Sequence, residues 1–135
     1  LPDKQRIKSW KHDKAEVAAL QVKLKAKGDT LVVQMRGELD HHAAGSLRTE
    51  IDARLAEAKI KNVLFNFHDV DFMDSSGFGM VLGRYKAVRE KGGKVLACSL
   101  RPPVRRVFEL SGLTTRIPVF GTEKEALDNL WGESG

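Results

Sequence analysis

The run Asp74-Ser75-Ser76-Gly77 sets a carboxylate and two hydroxyls where a strand-like stretch ending at Phe67, followed by the connection His68-Asp69-Val70-Asp71-Phe72-Met73, gives way to a helical pattern. In open α/β sheets, sites gather at the carboxyl ends of strands, so chemistry is expected first at this junction. One serine is expected to cap the helix by accepting a hydrogen bond from a backbone N–H one turn in. The other keeps a free hydroxyl, and capping alone does not say which. A phosphoryl group there would add a charge of about −1.5 to −2 and would meet the positive helix end with its unpaired N–H groups. Asp69, Asp71 and Asp74 share this connection, and Glu38 and Asp40 end a strand expected nearby. A dianion added to such an acidic rim would repel an acidic partner or block a close contact without unfolding the chain. Read only as helix capping, the same residues need no further role.

Other chemistries fit less well. Gly77, Gly79 and Gly83 are spaced GxGxxxG where a dinucleotide loop needs GxGxxG, and no acidic residue ends the next apolar run, Lys94 to Leu100, to hold a ribose. Neither serine has the glycine two residues before it that a GxSxG hydrolase elbow requires. His41 and His42 are adjacent and point apart, and no Cys or His at ligand spacing completes a metal site; capping or hydrogen bonding is the expected role. No catalytic residue, metal or cofactor is assigned, and the chain is expected to catalyse nothing itself.

The scaffold for these residues is legible as periodicity. Val22, Leu24 and Ala26 alternate with Gln21, Lys23, Lys25 and Lys27, and after Gly28-Asp29 the alternation resumes with Leu31, Val33 and Met35. These are two half-buried strands in an antiparallel hairpin, the second ended by Gly37. Ala43 to Lys59 carries Leu47, Ile51, Leu55 and Ala58 at helical spacing, with Glu50, Asp52, Arg54 and Glu57 mostly facing away. Asn62 to Phe67 suits a central strand covered on both faces. A helix from about Ser76 to Lys91 presents Phe78, Val81, Leu82, Tyr85 and Val88, with Gly92-Gly93 as its stop. Gly79 and Gly83, which each cost a helix roughly 1 kcal/mol, point to close approach of that helix to a strand. Lys94 to Leu100 reads as a buried strand, Pro102-Pro103 opens a helix that Gly112 closes, and Arg116 to Phe120 reads as a short strand. Thr122 caps a last helix to Trp131, with Glu123 and Glu125 near its positive end. The order β-β-α-β-α-β-α-β-α implies an α/β fold: one mixed, mostly parallel sheet with a hairpin edge and about four helices.

At 135 residues, with 41% hydrophobic and 30% charged side chains, the chain has the balance of one ordinary soluble domain. No apolar run approaches the roughly 18 residues of a membrane helix, and Leu1-Pro2-Asp3-Lys4 has no signal-like apolar region. Leu1 is not an initiator methionine, as in a trimmed or tagged fragment. The single cysteine, Cys98, has no internal disulfide partner, which fits a reducing compartment; within Val95-Leu96-Ala97-Cys98 it reads as a small buried apolar group. Of the formal charge of +5, residues 1–30 supply most, with eight Lys and Arg against four Asp and Glu, whereas residues 31–135 hold fifteen against fourteen. A nucleic-acid-binding surface would concentrate cations on the folded body, so direct nucleic-acid contact is not expected. Ile7, Trp10, Lys14 and Val17 share a helical face, compatible with either a short amphipathic helix or a tail.

Gly37-Glu38-Leu39-Asp40-His41-His42, Asp71-Phe72-Met73-Asp74-Ser75-Ser76-Gly77-Phe78-Gly79 and Leu82-Gly83-Arg84-Tyr85-Lys86 together resemble the STAS-domain anti-sigma factor antagonists, specifically the SpoIIAA type of spore-forming bacteria. Weaker similarity continues through Arg105-Arg106-Val107-Phe108 and Ser111-Gly112-Leu113. The resemblance implies a STAS domain over residues 20–135, preceded by an extension at residues 1–19. It implies that the unmodified protein binds an anti-sigma factor that is also a serine kinase and so frees the sigma factor. Phosphorylation from ATP ends the interaction, and a serine phosphatase resets it. By the same resemblance the acceptor is the first serine, Ser75. Asp74, Ser76, Gly77 and Phe78 fall beside it, Glu38, Asp40 and His41 belong to a loop facing the kinase, and Arg105 and Val107 border that surface. Phe78 stands where the family more often has leucine, which should alter the shape of the apolar contact. The implied setting is cytoplasmic, away from membranes, as a monomer. A rival implication is a STAS interaction module of a larger signalling assembly or an anion transporter.

Overall fold

Strict alternation makes strands of the first two apolar runs. In the computed structural model, which describes residues 20–132, β1 (Leu20–Lys27) pairs antiparallel with β2 (Thr30–Leu39), from Leu20 opposite Gly37 to Lys27 opposite Thr30. Gly28, at φ 61°, takes the left-handed conformation that a two-residue hairpin loop requires. The expectations for residues 1–19 lie outside the described residues.

Three βα units follow: α1 (His41–Leu55), β3 (Asn62–Met73), α2 (Ser75–Glu90), β4 (Val95–Cys98), α3 (Pro102–Ser111), a 3-10 turn (Leu113–Thr115), β5 (Val119–Phe120) and α4 (Glu123–Gly132). The sheet order is β1-β2-β3-β4-β5, with every pairing after the hairpin parallel. Because spatial order follows chain order, each right-handed crossover sets its helix on the same face. Leu31, Val33, Val63, Phe65, Phe67 and Ala97 accordingly share one core with Leu47 and Ile51 of α1, Val81 and Val88 of α2, and Val104 and Phe108 of α3. Each Val, Leu, Ile or Phe among them contributes about 1.5–3 kcal/mol on full burial. Among the described residues only α4 covers the other face, where Ala126 and Leu127 pack on Val32, Leu64, Leu96 and Cys98.

Several boundaries differ from the sequence reading. β2 does not end at Gly37 and β3 does not end at Phe67; both run on as a paired ribbon to Leu39 and Met73. Register shifts between Gln34 and Arg36 and between Gly37 and Glu38, the latter beside a glycine at φ 116°, break the period-two signal there. α1 stops at Leu55 rather than Lys59. β4 stops at Cys98 because Ser99 turns to φ 62°. The segment before β5 is a 3-10 turn, so that strand is only Val119–Phe120. Gly79 and Gly83 make no close approach to a strand, since a Cβ at either would meet nothing within 4 Å among the described residues. The tight glycines are Gly77 and Gly93, the latter lying against the Lys61 carbonyl. As expected, Pro102-Pro103 open α3, Gly112 at φ 81° closes it, and Thr122 Oγ1 accepts from Glu125 N at 3.1 Å at the start of α4.

Candidate functional site

The paired ends of β2 and β3 launch two helices in the same way. Leu39 and Met73 are register partners, and the residue after each is an aspartate in nearly identical extended backbone, Asp40 at φ −100° and ψ −171° and Asp74 at φ −106° and ψ −170°. Asp40 Oδ1 accepts from Ala43 N at 3.0 Å, while Asp74 Oδ1 accepts from Ser76 N at 2.9 Å and Gly77 N at 3.1 Å. The expectation that one serine caps α2 is therefore corrected. A carboxylate brings full charge to the positive helix end and takes up two orphan N–H groups at once, so Asp74 outcompetes a hydroxyl for the cap. Those N–H groups are consequently not waiting for a phosphate.

Freed from capping, the serines separate in role. Ser75 is the first residue of α2, exposed, and its hydroxyl has no hydrogen-bond partner among the described residues. Ser76 is half-buried, and its Oγ lies 3.2 Å from His41 Nδ1, a hydrogen bond across thirty-five positions of chain. Gly77 is buried in the crevice below. A Cβ there would stand 2.7 Å from both the Leu39 carbonyl oxygen and Met73 Cγ, so the first turn of α2 can seat on the strand ends only with glycine. Asp74 N also reaches Leu39 O at 3.4 Å.

Around this junction, Glu38 is exposed and register-paired with Phe72, an aromatic left 44% exposed. Asp71 is exposed beside it, and Phe78 is half-buried against the main core. Phe72 was no site candidate in the sequence; its signal was an apolar residue between Asp71 and Met73 that the ribbon turns outward. Asp69, expected on the acidic rim, instead faces His68 Nδ1 at 2.9 Å, Arg101 Nη2 at 3.8 Å and Arg36 Nε at 4.0 Å. The register shift in the ribbon rotates it toward those cations. The rim is thus Glu38, Asp40, Asp71 and Asp74.

Arg105 is exposed on α3 and Val107 is half-buried. Arg101, just before α3, donates from Nε to His68 O at 2.7 Å and so ties that helix to the ribbon. Among the described residues no hydrogen bond or ion pair joins Arg105 or Val107 to the serine pair. Likewise, among the described residues no three His, Cys, Asp or Glu side chains group as a metal site, and no helix is long and apolar enough to cross a membrane.

Below the site, α1 and α2 are laced by polar contacts. Arg84 Nε lies 3.1 Å from Asp52 Oδ1, and Lys91 Nζ donates to the carbonyls of Leu55 at 2.6 Å and Ile60 at 2.7 Å. Desolvation of the Arg84 guanidinium lowers its pKa; Asp52 opposes this shift and Arg48 adds to it. On the opposite sheet face, Glu123 takes hydrogen bonds from Gln34 at 3.0 Å, Asn66 at 2.9 Å and Lys27 at 3.0 Å.

The family model described as the STAS domain matches residues 21–126. The anti-sigma F factor antagonist of Paenibacillus polymyxa is 36% identical over 111 residues, covering 82% of this chain and 95% of that protein. Among solved structures, the anti-sigma factor antagonist SpoIIAA in its unphosphorylated form superposes with a TM-score of 0.76 at 35% identity, over 83% of this chain and 97% of that one. The Bacillus cell fate determinant SpoIIAA in the phosphorylated form gives a TM-score of 0.69 at 34% identity, over 82% and 99% of the two chains.

Proposed function

The chain belongs to the STAS-domain family, among its anti-sigma factor antagonists, and from that premise we propose that Ser75 is the phosphoacceptor of a binding switch. Unmodified, the chain binds an anti-sigma factor that is also a serine kinase, and the sigma factor is released. Once that kinase has moved the γ-phosphoryl of ATP onto Ser75 the complex dissociates, and a serine phosphatase restores the binding form. The chain acts as ligand and substrate, with catalysis supplied by its partners in the cytoplasm. Glu38, Asp40, His41, Asp74, Ser76, Gly77 and Phe78 form the contact face around the acceptor, with Phe72 as its exposed apolar element and Arg105 and Val107 at its border.

The observation that carries this reading is the exposed Ser75 hydroxyl, without a hydrogen bond among the described residues at the head of α2 while Asp74 holds the cap. A phosphate of about −1.5 to −2 charge beside Asp74 finds the N–H groups of Ser76 and Gly77 already taken, so its charge stays outward. It therefore acts on whatever docks and leaves the scaffold intact. Incubation with ATP and the anti-sigma F factor of Paenibacillus polymyxa should label Ser75 stoichiometrically, and Ser75→Ala should remove the label. Stoichiometric labelling of the Ser75→Ala chain would reject the assignment.

A further inference from the structure

We propose that His41 is a positioning residue for phosphoryl acceptance at Ser75, acting through the hydroxyl of Ser76. The inference rests on the switch proposed above and assigns His41 a specific task within its contact face.

The matching caps make His41 and Ser75 equivalent residues, each the first of its helix and each following an aspartate cap, on two helices that start from paired strand ends. The acceptor hydroxyl has no hydrogen bond of its own among the described residues, so its direction follows the backbone frame of the first turn of α2. Three contacts hold that frame. Asp74 closes it from within, Gly77 seats it on Leu39 and Met73, and the bond from His41 Nδ1 to Ser76 Oγ ties it sideways to α1. Only the third crosses between the helices at the level of the acceptor. First turns fray readily, and an exposed hydrogen bond adds little to global stability. The consequence of the His41–Ser76 bond is therefore orientation: it narrows the range over which Ser75 Oγ swings. In-line phosphoryl transfer is sensitive to such placement, since a shift of about 1 Å can cost up to about a hundredfold in rate. The bond also occupies Ser76 Oγ, leaving Ser75 as the open hydroxyl of the pair.

The test compares His41→Ala, Ser76→Ala, the double variant and His41→Asn, whose side-chain amide can either donate to or accept from Ser76 Oγ in place of Nδ1. Phosphorylation is measured with ATP and the anti-sigma F factor of Paenibacillus polymyxa. Each single alanine variant should lower kcat by about tenfold with little change in KM. The double variant should be no slower than either single, because the two side chains act as one unit, and His41→Asn should recover most of the rate. Multiplying losses in the double variant, a loss confined to KM, or an asparagine no better than alanine would overturn the proposal, since each marks an effect of His41 that does not pass through Ser76. A second readout needs no kinase: Ser76→Ala should shift the imidazole nitrogen resonances of His41, and unchanged resonances would also overturn it. Absence of Ser75 labelling in the unsubstituted chain would instead contradict the switch itself, so the two failures are distinct.

Discussion

The backbone of Gly77 lies so close to Leu39 that a Cβ added to the glycine would stand 2.7 Å from the Leu39 carbonyl oxygen and 2.9 Å from Leu39 Cγ. Two strand ends and one helix start share the space of a single methyl group. Gly77→Ala should therefore cost about 1–3 kcal/mol as an overpacking change and displace the turn that carries Ser75. Gly79→Ala, in open space on the same helix, should instead stabilise by about 0.5–1 kcal/mol. Urea unfolding of both variants checks the pair; equal effects would contradict the close-approach argument.

Asp74 caps α2, and its geometry separates the effect of shape from that of charge. Asp74→Ala should lose about 1 kcal/mol, whereas Asp74→Asn keeps an accepting oxygen and should lose only a few tenths. Ser75→Asp should leave the circular dichroism spectrum unchanged yet weaken capture by the anti-sigma factor at least ~10-fold through like-charge repulsion. A spectrum that loses helix, or undiminished capture, contradicts the reading of the modification as a surface event.

Arg84 is the partly covered cation of the α1–α2 interface. Its Nε sits 3.1 Å from Asp52 Oδ1 without hydrogen-bond alignment, and the Nε and Nη1 atoms are both covered without a hydrogen-bond partner among the described residues. Asp52 is 49% exposed and stays solvated when Arg84 is removed, whereas removing Asp52 leaves the covered Arg84 guanidinium without its counter-charge. Arg84→Met should thus be neutral or stabilising, and Asp52→Ala should be the more damaging of the two in thermal unfolding. The reverse order would show that the pair holds the helices together outright.

Glu123 and Cys98 report on α4. Burial would raise the Glu123 pKa, but hydrogen bonds from Gln34, Asn66 and Lys27 and the Lys27 charge outweigh it and hold the group below its ordinary value of 4.5. A carboxylate with a depressed native pKa adds stability that is fully present at neutral pH and lost as pH falls through the native value. The stability gap between the unsubstituted chain and Glu123→Gln should therefore close on acidification below about pH 4. Burial pushes the Cys98 thiol up to about 11, against a hydrogen bond with Ser99. It should resist alkylation at pH 8 in the native chain, and Glu123→Ala should speed the reaction by loosening the helix over it. Alkylation at equal rates would show that the Glu123 contacts do not hold α4 down.

The elements that were plain in the sequence owe their form to local chemistry. Alternation from Leu20 to Lys27 and from Leu31 to Met35, the Pro102-Pro103 opening and Gly112 close of α3, and the Thr122 cap each depend on residues within a turn or two of one another. The family was equally legible, because it is carried by short contiguous runs around Asp40 and Ser75. Capping logic left Ser75 and Ser76 even, and the resemblance alone favoured the first.

What tertiary structure decided lies in contacts between distant segments. The ribbon from Arg36 to Leu39 and from His68 to Met73 pairs through register shifts that erase any periodicity, so it read as loop, and the rotation it imposes sends Asp69 to Arg36 and Arg101 while turning Phe72 outward. The same pairing sets Leu39 under Gly77, making that glycine necessary where Gly79 and Gly83 are not. It also brings His41 to Ser76 and so distinguishes a tethered hydroxyl from a free one. Sequence patterns report what a residue asks of its immediate neighbours; which of two adjacent serines stands open depends on a side chain from another helix, and only the folded chain supplies it.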